Sequence, residues 1–114
     1  MSSITTHIVD SRSGKAGAGI VVGLQRKTHT SGWQVIGERL SNVDGRVNDL
    51  LPDQEPLLMG HYRLTFEIGL FYLQQDIECL FPQISINFVV KDPLEHYHIP
   101  LVISPFGYST YRGG

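Results

Sequence analysis

At 114 residues, with 41% hydrophobic and 18% charged residues and a net charge of -2, this chain is sized for one globular domain around a single core. Its slight acidity argues against nucleic acid or an anionic membrane as the main partner, and no apolar run approaches the roughly 20 residues that a membrane helix needs. The lone Cys79 excludes an intrachain disulfide and a cysteine-based zinc knuckle, and suits a reducing compartment. The opening MSSITTHIVD has no charged region followed by an apolar stretch, so a cytoplasmic protein is expected rather than a secreted one.

In chain order, residues 4–9 are a short β-prone run closed by the turn-forming Asp10-Ser11-Arg12-Ser13-Gly14. Residues 19–26 (GIVVGLQR) and 33–40 (WQVIGERL) read as the arms of a hairpin joined by the polar 27–32 connection. Asn42-Val43-Asp44-Gly45 signals a turn, and a loop with Pro52 and Pro56 follows. Residues 60–67 alternate Tyr62, Leu64 and Phe66 with His61, Arg63, Thr65 and Glu67, the period-two pattern of a half-buried strand. Between 70 and 80 the apolar residues Leu70, Phe71, Leu73, Ile77 and Leu80 fit a helical stripe, which places one short helix over 70–74, and Pro82 stops it. Residues 83–91 form a strand with Ile84, Ile86, Phe88 and Val90 on one face. Two last strands, over 97–104 and 108–112, are broken at Pro105-Phe106-Gly107. So many short strands with so little helix predict one all-β domain over 1–114, an antiparallel β-sandwich.

Candidates for chemistry cluster toward the end of the chain. Side chains two apart in a strand share a face, so His96 and His98 point one way and Tyr97 the other. Pro100 shares the histidine face and has no N–H for a ladder, which places it at an edge or a break in pairing. The plain alternative is a pair of surface histidines on an open sheet face. His7 lies on the first strand with Thr5 and Val9 on its face. Zinc accepts three imidazoles and a water, so His7, His96 and His98 make a metal site conceivable, although nothing in their spacing requires it. Arg46 at its turn and Arg112 near the end read, taken singly, as solvated charges. Ser104 and Ser109 lack a G-x-S-x-G elbow, Cys79 sits in an apolar stretch, and GKAGAG lacks the GK[ST] ending of a phosphate loop.

Together, THIVD near the start, DGR in the middle and HYHIPLVISPFGYSTYRGG at the end resemble the transthyretin-related family, and within it the 5-hydroxyisourate hydrolases. The resemblance covers residues 4–114, and its most specific part is the ending. The hydrolases close on Tyr-Arg-Gly-Ser, matched here by Tyr111-Arg112-Gly113, whereas the thyroid-hormone carriers of the same fold lack that ending and the His-Arg-His set. One position departs: Gly114 stands where the family has serine, which removes a hydroxyl. The resemblance implies a transthyretin-like sandwich of two four-stranded sheets with one short α-helix. It also implies a homotetramer, a dimer of dimers with its sites at the dimer–dimer interface. The family's catalytic positions fall on His7, Arg46 and His98, and Tyr111, Arg112 and Gly113 join His7 and Arg46 in holding substrate.

The reaction implied is hydrolysis of a cyclic amide of 5-hydroxyisourate, giving 2-oxo-4-hydroxy-4-carboxy-5-ureidoimidazoline in urate breakdown. Imidazole, with an ordinary pKa of about 6.5, suits water activation and proton delivery, and guanidinium suits an oxygen-rich ring edge and a developing oxyanion. Neither a metal nor an organic cofactor is required. The alternative is a non-enzymatic carrier on the same fold, which would need an apolar channel, whereas His7, Arg46, His98 and Arg112 make a polar, cationic one.

Overall fold

The computed structural model describes residues 3–30 and 32–114, in which nine strands and one short helix form a two-sheet sandwich. Met1 and Ser2 of the opening stretch, and Ser31 of the 27–32 connection, lie outside the described residues. In chain order the elements are β1 (Ile4–Asp10), β2 (Lys15–Ala16), β3 (Val21–Lys27), β4 (Trp33–Leu40), β5 (Arg46–Val47) and β6 (Gly60–Glu67). The helix α1 (Ile68–Leu73) follows, then β7 (Gln83–Val90), β8 (Tyr97–Ser104) and β9 (Gly107–Thr110).

One sheet has the order β4-β3-β6-β7, antiparallel throughout. The other has the order β2-β1-β8-β9, and the two-residue β5 also pairs with β1. The expected pair of four-stranded sheets is therefore present, with one small strand added. Its strand directions differ from expectation in one place: β1 and β8 run parallel, from Ile4 opposite Tyr97 to Asp10 opposite Ile103. Hairpin turns impose antiparallel pairing on strands close in sequence. The chain between β1 and β8 includes the whole of the other sheet, so no tight turn constrains their direction.

Between the sheets lies a core that the period of two creates. Ile4 and Ile8 from β1 and Tyr97, Ile99, Leu101 and Ile103 from β8 face Val22, Leu24, Tyr62, Leu64, Phe66 and Ile84. Burying such side chains contributes about 1.5–3 kcal/mol each. The helix departs from the expected stripe. It begins at Ile68, directly off β6, and buries Ile68 and Tyr72, an i,i+4 pair on one face, while Leu70, Leu73 and Leu80 stay exposed. The polar tip of Tyr72 decides this: its hydroxyl donates to Asp10 Oδ1 at 2.7 Å, anchoring α1 to the buried end of β1. Burial and the Asp10 carboxylate push the Tyr72 phenol far above its ordinary pKa.

The last strand ends earlier than expected, and Pro100 supplies the reason. The β8–β9 ladder stops at Leu101 opposite Thr110. The Pro100 carbonyl accepts from the Thr110 side-chain hydroxyl at 2.7 Å, and the backbone rejoins only where Gly113 N–H donates to His98 C=O at 2.8 Å. A residue with no N–H breaks the ladder, and Tyr111 and Arg112 leave the sheet at that break.

Candidate active site

Cross-strand partners in a sheet share a face. Thr5 pairs with His98, His7 with Pro100, and His7 on its other side with Arg46. Three elements from the start, middle and end of the sequence thus bring His7, Arg46 and His98 together on the outer face of one sheet. The inner face of the same strands is core.

Arg46 owes its position to the turn before it. Asn42 Oδ1 accepts from the backbone N–H of both Asp44 and Arg46 at 2.9 Å, an Asx-type closure. Gly45 adopts φ +76°, and a Cβ there would lie 2.4 Å from the Ile8 carbonyl, so only glycine permits this approach. Ile8 N–H then donates to Gly45 C=O at 2.7 Å, which holds the turn against β1 beside His7.

His98 is held from two sides. Its Nδ1 lies 2.7 Å from Thr5 Oγ1, and the same hydroxyl lies 2.9 Å from His96 Nε2. On the other side Gly113 packs on the ring: a Cβ at that position would sit 2.5 Å from His98 Cδ2 and 3.3 Å from Pro100 Cγ. The pKa of His98 is lowered, first by desolvation and then by the nearby charges of Arg46, His96 and His7, against a raising hydrogen bond to the Thr5 backbone. The ring is therefore neutral near pH 7, the form in which one nitrogen can accept a proton.

The other half of the expected set goes elsewhere. Arg112 reaches the His96 carbonyl at 3.1 Å and Glu95 at 3.4 Å, and its guanidinium lies 4.5 Å over the Tyr97 ring. With the exposed Tyr111 it lines a cleft of about 430 Å³ whose floor includes Ile86, Phe88, Tyr97 and Ile99. That cleft opens on the inward-facing side of β8, so within one chain Gly113 joins the histidine cluster while Tyr111 and Arg112 do not. Among the described residues, no three His, Cys, Asp or Glu side chains are grouped to hold a metal ion. His96 and His98 converge on a threonine hydroxyl instead.

Thr5 and His96 are the two members of the site that the sequence did not assign. Alternation put Thr5 on the face of His7, but only the parallel β1–β8 register sets it against His98.

Fold and site define a class: a transthyretin-like β-sandwich whose outer sheet face carries imidazole and guanidinium groups. Residues 4–113 match the HIUase/Transthyretin family, and the chain belongs to it. The chain is 39% identical over 117 residues to the 5-hydroxyisourate hydrolase of Caulobacter vibrioides, covering 99% of each chain. Among solved structures, the Klebsiella pneumoniae 5-hydroxyisourate hydrolase superposes with a TM-score of 0.83 at 32% identity, covering 97% of this chain and 92% of that one. A sea bream transthyretin in complex with thyroxine reaches a TM-score of 0.89 over 98% of this chain and 95% of its own, at 23% identity; that likeness is one of fold.

Proposed function

We propose that this chain hydrolyses 5-hydroxyisourate, opening its cyclic amide to 2-oxo-4-hydroxy-4-carboxy-5-ureidoimidazoline in urate degradation. The observation that carries the reading is the juxtaposition of His7, Arg46 and His98 on one sheet face in a member of this family. Hydrolysis of an amide needs a base to activate water, a donor for the tetrahedral oxyanion and an acid for the leaving nitrogen. Neutral His98 takes the proton of the attacking water. Arg46, always charged, faces the oxyanion with a rigid fork of donors. His7, beside Arg46, shares the proton transfers with His98. Every group in this scheme is a side chain of the protein, so it calls for no cofactor.

Tyr111, Arg112 and Gly113 are assigned to substrate binding. Gly113 acts by seating the His98 ring. Tyr111 and Arg112, directed away from that ring in a single chain, reach substrate in an assembled homotetramer, a dimer of dimers in which neighbouring chains complete each site. The edge strands β7 and β9 support this reading, because both have an unpaired side through which a second copy can extend the sheets. Sedimentation at decreasing protein concentration tests the assembly, and a monomer that retains full activity would remove it. A cytoplasmic setting fits the unpaired, half-buried Cys79.

A carrier on this fold is the second reading, and the charges on the sheet face weigh against it, since an apolar ligand gains little from desolvating two imidazoles and a guanidinium. The deciding experiment generates 5-hydroxyisourate from urate with urate oxidase and follows its ultraviolet absorbance. Decay that accelerates in proportion to this protein supports the hydrolase. Decay at the spontaneous rate with folded protein present leaves the carrier.

A further inference from the structure

His98 is backed by a hydroxyl, and that hydroxyl is shared. Thr5 Oγ1 stands 2.7 Å from His98 Nδ1 and 2.9 Å from His96 Nε2. Thr5 is 6% exposed, while His96 lies open to solvent and His98 is half-buried. Among the described residues, Thr5 is the only residue that hydrogen-bonds the His98 ring.

A threonine hydroxyl has one proton to donate and lone pairs with which to accept. Accepting from both rings would leave the hydroxyl proton with no acceptor among the described residues, so it donates to one imidazole and accepts from the other, in one of two arrangements. In the first, His98 Nδ1–H donates to Oγ1 and Oγ1–H donates to His96 Nε2, so neutral His98 keeps a lone pair on Nε2. In the second, His96 Nε2–H donates to Oγ1 and Oγ1–H donates to His98 Nδ1, so the proton of neutral His98 sits on Nε2. The first makes His98 Nε2 a base and the second makes it an acid.

We propose that Thr5 is a positioning residue that couples the proton positions of His96 and His98, switching His98 between base and acid. The inference rests on the reading of His98 as the acid–base group. The cycle balances. Water gives a proton to His98 Nε2 as its oxygen bonds the carbonyl carbon. The Nδ1 proton passes to Oγ1, and the Thr5 proton passes to His96 Nε2. His96, open to solvent, sheds its Nδ1 proton. When His98 Nε2–H protonates the leaving nitrogen, the two transfers through Thr5 reverse and His96 recovers its Nδ1 proton from solvent. The groups acting electrostatically on His98, namely Arg46 on β5, His7 on β1 and His96 before β8, are all basic. Each disfavours an imidazolium, and the packed Gly113 brings no charge to offset them. A route that keeps the ring neutral avoids that penalty.

The test uses the full chain with ¹⁵N-labelled histidine, whose ring-nitrogen shifts report tautomer and charge directly. In the wild type, the His98 nitrogens shift as His96 titrates, and His96→Gln, a change at an exposed residue, abolishes that shift. Thr5→Val keeps shape but removes the hydroxyl, and Thr5→Ser restores it. We expect Thr5→Val to uncouple the two rings and to lower kcat at least about tenfold with little change in KM, and Thr5→Ser to recover both properties. A His98 tautomer balance that still follows the protonation of His96 in Thr5→Val, or a Thr5→Ser variant that behaves like Thr5→Val, would overturn the proposal. The spectra are read without substrate, so they decide the coupling even if the wild type fails to hydrolyse 5-hydroxyisourate.

Discussion

The two faces of β8 make opposite use of one strand. Tyr97, Ile99, Leu101 and Ile103 point inward and are nearly inaccessible to solvent, and their contribution is area removed from water. His98, one residue away from two of them, points outward, where Thr5 Oγ1, a glycine and three basic groups set its orientation and charge. The inward face tolerates exchange among apolar residues of similar volume. The outward face depends on single atoms, which is why changes on the two sides separate stability from chemistry.

The largest separation is expected from His98→Ala. Loss of the proposed general acid–base group should lower turnover by at least about 100-fold, while the urea midpoint stays near that of the wild type, since the side chain lies outside the core. Normal turnover in the folded variant would take His98 out of the chemistry. Gly113→Ala comes next. Its Cβ would fall 2.5 Å from His98 Cδ2, so the ring must move, and a displacement approaching 1 Å carries a loss of up to about 100-fold. Unchanged kinetics would mean that the tail shifts and the ring does not.

On the inward face the effect reverses. Leu101→Ala removes a fully buried side chain and costs about 2–5 kcal/mol of stability, measured by denaturant unfolding, while the folded fraction keeps its turnover. The smallest effect is the pH dependence of His98 itself. Its folded pKa lies below the ordinary value of about 6.5, so between those two values the unfolded chain binds more protons and stability rises with pH. Urea midpoints taken in steps downward from pH 7 should therefore fall, and His98→Gln should flatten the curve. The acid limb of kcat/KM should likewise sit below pH 6.5. A limb above it would mean that the ring is easier to protonate than its neighbours allow.

Much of the inward face was legible in advance, because burial writes a period of two into Tyr62, Leu64 and Phe66 and into Ile84 to Val90. The helix was harder. Its exposed leucines imitate an amphipathic stripe, and a hydrogen bond from Tyr72 to a residue 62 positions earlier outweighs them. On the outward face, alternation put His96 and His98 on one side of their strand, and the resemblance of three short motifs supplied His7, Arg46 and the tail. The role of Thr5 left no local trace, since it depends on a parallel register between strands at opposite ends of the chain. The split of the tail at Pro100, which sends Arg112 one way and Gly113 the other, was visible only as a proline without a ladder partner.

That parallel register also sets an order in time. Thr5 and His98 are 93 positions apart, whereas β3, β4, β6 and β7 pair with one another and all end by Val90. A chain leaving the ribosome at about 5–20 residues per second has every strand of that second sheet before His98 has been added. The proposed catalytic face is thus the last part of the molecule to be completed, and a chain stopped short of β8 carries a sheet but lacks His98.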